Sequence, residues 1–359
     1  QPSDRPRRPS GTVTPGSDQV ISTTLGHRFL VVGREDGAEA TVTSTVSVQA
    51  FRFQPAAKDA PSRAAASHSK VVDGEVTAPP AELGVPPFYA KFISAGGYPI
   101  VASARVNDYA LKEAAFLVNQ LLAHRDDVRR AMIASGSRMC ILGYSEFTTD
   151  LPEFSRQEAA KGFEQFSAQD YWDARARGTG GSETDPYCSC AEENLLAYPG
   201  DPFAAECILI HEFAHNMHLR GLVNVDPTFD ARLRQTYGHA MQAGLWQGKY
   251  ASVNHHEYFA EGVQSWFDNN RENDHDHNHV NTRVELQEYD PGLAAICREV
   301  FGDTKLVYTK PAARLAGHLA GYDPTQAPRF VWPERLKEAQ AEIRRQAEAR
   351  SRAADAATR

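Results

Sequence analysis

Two short segments hold the residue types that could do chemistry. The first is His211-Glu212-Phe213-Ala214-His215 and the second, 42 residues after His215, is Glu257-Tyr258-Phe259-Ala260-Glu261. Residues four apart share one face of a helix, so both imidazoles of the first segment can bind one metal ion, with Glu212 as general base. A glutamate of the second segment can add a carboxylate and leave a fourth position open, as in catalytic zinc sites. The sequence therefore predicts one Zn²⁺ per chain and metal-assisted hydrolysis.

Each segment alone also has an ordinary structural explanation. The His-Glu-x-x-His pattern is a weak signal, and two histidines can simply lie at the edge of a core helix. Glu257 and Glu261 are one helical turn apart and could form a solvated face, because apolar residues follow the opposite side of that helix. The metzincin pattern is excluded, since His218 and Gly221 stand where that class needs Gly and His.

The two segments together resemble a known family. A Glu-Tyr-Phe-Ala-Glu segment after a His-Glu-x-x-His helix is similar to the gluzincin peptidases, and most closely to the catalytic domain of anthrax lethal factor and its relatives. The similarity is firm over residues 192–267 and looser upstream to about Phe88. The resemblance implies these roles: zinc ligands His211, His215 and Glu257, general base Glu212, oxyanion donor Tyr250, and Glu261 as the carboxylate that supports a ligand histidine. Without the resemblance, Tyr250 would be interpreted as a packing aromatic.

The resemblance also implies a fold and a division of the chain. We expect an α+β, two-lobed zincin-like metallopeptidase with a mixed sheet over the zinc-binding helix, plus a small N-terminal β-rich extension. Residues 1–84 would be that extension: a disordered lead-in, a possible hairpin of strands Arg28–Val32 and Thr41–Phe53, and an Ala/Pro/Ser-rich linker. Residues 85–330 would form the catalytic domain. Residues 331–359 would be a charged C-terminal helix or tail.

Several elements must position the predicted site. The zinc helix is expected to begin at Asp201-Pro202, an N-cap followed by proline, and to end near Gly221. Further helices are expected over Asp108–His124 and Asp126–Ile133, and a strand over Arg138–Leu142. A flexible loop is expected over Gly178–Ser182. An edge strand that pairs with extended substrate is expected within 139–147 or 188–198.

Composition narrows the range of partners. The 359-residue chain has a net charge of −8 with its Lys and Arg scattered, which argues against nucleic acid or an anionic membrane as partner. No apolar run approaches the roughly 18 residues of a membrane-spanning helix. A start at Gln1 suits a mature secreted protein and equally a trimmed chain. We expect a monomer whose substrate is a protein or peptide.

The five cysteines bear on the compartment. They are Cys140, Cys188, Cys190, Cys207 and Cys297, an odd number that allows at most two internal disulfides. A bridge from Cys188 or Cys190 could pin a wall of the cleft just before the zinc helix. We therefore expect a secreted, disulfide-bearing protein, with buried free thiols as the alternative.

Other histidines and rival functions stay open. The 274–279 segment, Asp-His-Asp-His-Asn-His, could hold a second metal but is more typical of a polar surface loop. His218, His255 and His256 are expected to be exposed or structural, although His255 and His256 adjoin Glu257 and either could contact substrate. The favoured function is a zinc endopeptidase. The alternatives are a catalytically silent zinc-binding domain and a zinc amidohydrolase that acts on a non-peptide amide.

Overall fold

The chain folds as a mixed α+β protein. The computed structural model describes residues 11–14, 21, 28–33, 39–43, 73–154, 156–182 and 185–357. The strands are β1 Arg28–Val32, β2 Glu39–Thr43, β3 Lys91–Ala95, β4 Tyr98–Ala102, β5 Arg138–Leu142, β6 Gly178–Thr179 and β7 Tyr187–Ala191. The α-helices are α1 Asp108–Leu121, α2 Asp126–Ala134, α3 Ala168–Arg175, α4 Glu192–Leu195, α5 Ile208–Asn216, α6 Val223–Val225, α7 Phe229–Gln242, α8 His255–Trp266, α9 Arg283–Tyr289, α10 Pro291–Phe301 and α11 Lys337–Ala357, with a π-helical segment at Met217–Leu222.

The central sheet is open and mixed, with strand order β3-β4-β5-β7-β6. Strands β4, β5 and β7 run parallel, while β3 and β6 pair antiparallel at the two edges. The parallel strands are buried on both faces, as continuous apolar runs such as Arg138-Met-Cys-Ile-Leu142 require. One face packs on the main core, which includes α1, α5 and α8, and the other on a smaller apolar cluster.

The expected disulfides are absent, and for Cys140 the two faces of the sheet give a reason. Cys140 faces the smaller cluster, whereas Cys188 and Cys190 face the main core from the neighbouring strand. All five cysteines are free and buried. The expectation of a bridge that pins the cleft wall is therefore not met. The sheet separates Cys140 from Cys188 and Cys190, whereas Cys207 and Cys297 lie in the same main core as that pair and are nevertheless free.

The N-terminal residues that the structure describes include the expected hairpin. Strands β1 and β2 pair antiparallel from Arg28↔Thr43 to Val32↔Glu39. The rest of the second predicted strand, most of the lead-in and most of the linker lie outside the described residues. Residues 73–84, placed by sequence at the end of the linker, contact β3: Thr77 pairs with Phe92, and the Gly96 amide donates to Asp73 at 2.7 Å.

The expectations for elements around the site are confirmed for α1, α2 and β5, with helix ends shifted by one to three residues. The C-terminal helix is also present as α11. It is not fully solvated, because Ala339 and Ala347 are buried and Arg335, just before it, pairs with Asp170 and Asp173 of α3. Within the described ranges, none of the helices combines the length and apolar character needed to cross a membrane.

Candidate metal centre

Helix α5 carries the first motif, and it begins later than expected. It starts at Ile208, and Asp201-Pro202 lies in a turn before it, where Asp201 accepts a hydrogen bond from the Phe203 amide at 2.9 Å. The first amides of α5 are satisfied by side chains from elsewhere: Ile208 N–H donates to Asn194 and Cys207 N–H to Asn269, each at 2.8 Å. Distant caps therefore fix the start of the helix, where the sequence indicated a local cap.

The end of this helical stretch was also predicted wrongly. After Asn216 the chain continues through the π-helical segment into α6, so Gly221 lies inside the helical stretch. A β-carbon at Gly221 would lie 2.5 Å from Val128 and 2.8 Å from Met132. Gly221 therefore permits close packing against α2.

The three predicted ligands converge. His211 Nε2, His215 Nε2 and Glu257 Oε2 are each 3.1 Å from the other two, and all three side chains are mostly buried. They form a group of three that could hold a metal ion. Helix α8 positions Glu257 in its first turn, where the Asn254 side chain accepts hydrogen bonds from the His256 and Glu257 amides.

This donor set fits a zinc ion. His211 Nδ1 donates to Gln264 Oε1 at 2.8 Å, so in the neutral ring the Nε2 lone pair points at the two other donors. Zinc binds such ligands at about 2.0–2.1 Å, and a 3.1 Å spacing then gives angles near 100°, close to tetrahedral. Burial opposes protonation of His211, but the hydrogen bond to Glu257 and the charge of Glu212 outweigh it and raise its pKa to about 10. The site therefore favours positive charge at this point.

The support of His211 differs from the one predicted. Its Nδ1 donates to Gln264, whose amide in turn donates to Glu206 at 2.9 Å. Glu261, the predicted supporting carboxylate, is 3.5 Å from the same nitrogen and is only a more distant ion-pair partner. Gln264 lies three residues beyond Glu261 on α8, and no motif in the sequence indicated it.

Glu261 instead connects the centre to the 274–278 loop. It lies 3.2 Å from His277 Nε2, and His277 Nδ1 is 2.9 Å from Asp274. Burial opposes protonation of His277, but the two carboxylates prevail and raise its pKa to about 9. The carbonyl of Asp276 in the same loop accepts the Tyr250 amide at 2.7 Å. The segment is therefore polar, as expected, but its His277 is buried against Glu261, and its contacts hold both Glu261 and Tyr250.

Glu212 lies beside the triad, next to strand β6. It is half-buried and forms no hydrogen bond or ion pair with any residue that the structure describes, so its carboxylate is free to accept a proton. Burial raises its pKa, although His211 and His215 oppose this. A carboxylate of raised pKa near a metal centre has the basicity expected of a general base.

Strand β6 packs directly on α5, so the prediction of a flexible loop at Gly178–Ser182 is wrong for its first two residues. A β-carbon at Gly178 would lie 3.0 Å from Glu212 Cγ, and one at Gly180 would overlap the His215 side chain. β6 is also the terminal strand of the sheet on this side. The edge nearest the metal centre is therefore 178–179, whereas the predicted segments 139–147 and 188–198 hold the interior strands β5 and β7.

Tyr250, the oxyanion donor that the resemblance implies, lies near the triad. Its ring centroid is 6.1 Å from that of His211, and its hydroxyl accepts a hydrogen bond from Arg175 Nη2 at 3.4 Å. Burial, together with the charge of Glu257, raises the pKa of Tyr250, so the phenol stays protonated and can donate. Arg175, at the end of α3, was not singled out by the sequence.

A second histidine cluster lies beside the first on the same helices. His218 and His255 each place Nε2 about 3 Å from one oxygen of Asp230, at 3.1 and 3.0 Å. His256 Nδ1 is 3.4 Å from His218 Nδ1. Burial lowers the pKa of His218, of His255 and of His256, the last to about 4. This agrees with the structural role expected for these three residues.

Comparisons of the chain with protein-family models, with curated proteins and with solved structures find no match. The resemblance to the gluzincins therefore rests on the sequence motifs. The geometry adds that all six predicted residues lie around one point, apart from the longer contact of Glu261.

Proposed function

We propose that this protein is a zinc-dependent endopeptidase of the gluzincin type. The observation that carries the proposal is the convergence of His211, His215 and Glu257 at 3.1 Å, with Glu212 and Tyr250 beside them. A structural zinc site would use four protein ligands, whereas three ligands leave a position open for substrate or water. Hydrolysis requires a carboxylate that is free to accept a proton next to the metal. A purely structural metal site has no need of one.

Each residue of the centre has a role in peptide hydrolysis. Zinc, when bound by the triad, would polarise the scissile carbonyl and make water more acidic. Glu212 takes a proton from the attacking water and passes it to the leaving amine, for which its raised pKa suits it. Tyr250 donates its hydroxyl proton to the oxygen that becomes negative in the transition state.

The position of β6 favours a substrate in an extended conformation. This strand ends the sheet beside Glu212 and His215, so a peptide laid along it would pass the metal centre. An edge strand favours peptides over compact non-peptide amides.

The test compares wild type with Glu212→Gln for zinc content and for cleavage of a diverse peptide library. We expect equal zinc in both proteins and cleavage by wild type only. Glu82→Gln, a change at an exposed glutamate far along the chain from the motifs, serves as the control and should cleave normally. Absence of zinc from wild type, or cleavage that survives in Glu212→Gln, contradicts the proposal.

A further inference from the structure

The wall of the site formed by α3 carries two arginines that form no ion pair with the described carboxylates. Arg175 is exposed at the end of α3, next to the Tyr250 hydroxyl. Arg156, also exposed, lies with its guanidinium carbon 4.1 Å from the centre of the Trp172 ring. Neither arginine forms an ion pair with any carboxylate in the described part of the chain.

Three acidic side chains near this wall are already paired with other arginines. Asp170 and Asp173, on the same helix as Arg175, both pair with Arg335, at 2.7 and 2.6 Å. Glu153, close in sequence to Arg156, pairs with Arg138 at 2.5 Å. These three carboxylates are therefore not available to Arg156 or Arg175. The charges of Glu212 and Glu257 act on Arg175 without forming an ion pair with it, so both exposed guanidinium groups can still bind carboxylates of a ligand.

Trp172 joins the two arginines into one surface. Its indole N–H donates to the Glu158 carbonyl at 2.9 Å, which ties the segment carrying Arg156 to α3. The guanidinium carbon of Arg175 is 5.9 Å from the same ring. The two guanidinium groups are thus at most about 10 Å apart, a gap that carboxylates two residues apart in an extended peptide, about 6.6 Å along the strand, can bridge with their own side-chain length.

We propose that Arg175, Trp172 and Arg156 form a substrate subsite for acidic peptides, reading two acidic side chains at alternate positions close to the scissile bond. This subsite deepens the proposed peptidase function, because the bound peptide is a substrate only if the protein is a peptidase. Alternate residues of an extended chain point to the same side, so a Glu-x-Glu sequence presents both carboxylates to this wall. Guanidinium groups bind carboxylates in bidentate fashion, and the indole between them packs on the intervening chain.

The experiment measures binding without catalysis. Glu212→Gln protein is titrated into three fluorescent, end-blocked peptides that share one host sequence and differ only in carrying Glu-Ala-Glu, Glu-Glu-Ala or Gln-Ala-Gln. We expect Glu-Ala-Glu to bind about tenfold more tightly than Gln-Ala-Gln, and the difference to shrink at high salt. Glu-Glu-Ala has the same charge but points its carboxylates to opposite sides, and should bind more weakly than Glu-Ala-Glu.

Two further variants test whether the preference for Glu-Ala-Glu arises from the arginines of the α3 wall. Arg156→Gln and Arg175→Gln, each added to Glu212→Gln, should each reduce the preference for Glu-Ala-Glu about threefold. Arg130→Gln, at an exposed arginine of α2, is the matched control and should leave the preference unchanged. Equal binding of all three peptides, equal binding of the two acidic ones, or a preference that survives both substitutions would overturn the subsite.

Wild-type cleavage separates the two proposals. If wild type cleaves library peptides but ignores acidic residues, the peptidase stands and the acidic subsite is wrong. If Glu-Ala-Glu binds as expected while wild type cleaves no peptide, the acidic-peptide surface stands and the peptidase is wrong.

Discussion

Two groups of histidines lie side by side on the same helical stretch and on α8, with opposite electrostatics. In the first, His211, His215 and Glu257 direct three donors at one point. Burial opposes protonation of His211, but Glu257, Glu212 and Glu261 together raise its pKa to about 10. In the second, His218 and His255 share Asp230, which lies at the side of the cluster, and burial lowers the pKa of both imidazoles. Both groups contain imidazoles and a carboxylate. Convergence of the lone pairs, and not the number of histidines, distinguishes a metal centre from a structural cluster.

The largest expected effect tests this contrast with two isosteric changes. Glu257→Gln should reduce zinc from one ion per chain to none detectable, because it removes the anionic ligand that attracts the cation. Asp230→Asn makes the same chemical change in the second cluster and should keep the full zinc content. Metal analysis after dialysis measures both. Equal zinc loss in the two variants would show that the clusters act as one site.

The next largest effect is expected on turnover, when the hydroxyl next to the first group is removed. Tyr250→Phe should lower kcat about 100- to 1000-fold, because the hydroxyl that stabilises the oxyanion is lost. Zinc content should not change, since the phenol is not a ligand. Steady-state kinetics and metal analysis of the same preparation give the answer, and loss of zinc with the hydroxyl would make Tyr250 a structural residue.

A smaller effect is expected behind His211. Gln264→Leu removes the acceptor that orients this imidazole and should weaken zinc affinity about 10- to 100-fold, as measured by competition with a chelator. Ser265→Ala, at the buried neighbour that donates to the Val280 carbonyl, is the control for general destabilisation. If Glu261→Gln weakens zinc more than Gln264→Leu does, the predicted carboxylate is the true support despite its 3.5 Å distance.

The smallest effect concerns the second group and is a change of stability with pH. Burial, with the nearby imidazoles, holds the pKa of His256 at about 4 in the folded protein, below the ordinary 6.5. The unfolded chain then binds more protons between these values, so His256 contributes stability above pH 6.5 that is lost as pH falls towards 4. Because the ring is partly exposed, we expect the loss between pH 7 and 5 to be about 1 kcal/mol smaller in His256→Gln than in wild type. Urea unfolding of both proteins at pH 7 and pH 5 measures this difference. Identical losses of stability in the two proteins would contradict the prediction.

The sequence was sufficient to predict residues that come together through helical spacing and strands with a clear apolar pattern. The i, i+4 histidines, Glu257 and the strand Arg138–Leu142 are where it predicted them. It was insufficient where long-range contacts decide. Asn194 and Asn269 cap α5 from outside the helix, so the local signal at Asp201-Pro202 was misleading. The selection of Gln264 over Glu261 depends on side-chain orientation. The glycines in and just after β6 suggested a flexible loop because α5, on which they pack, is distant in sequence.

The 274–278 loop has a consequence for the timing of events at the centre. It holds the Tyr250 amide through the Asp276 carbonyl and Glu261 through His277. One local opening of this short segment would therefore release the oxyanion donor and a neighbour of His211 together. Hydrogen exchange at the Tyr250 amide would then report how often this loop opens, so that one backbone proton monitors the release of both contacts.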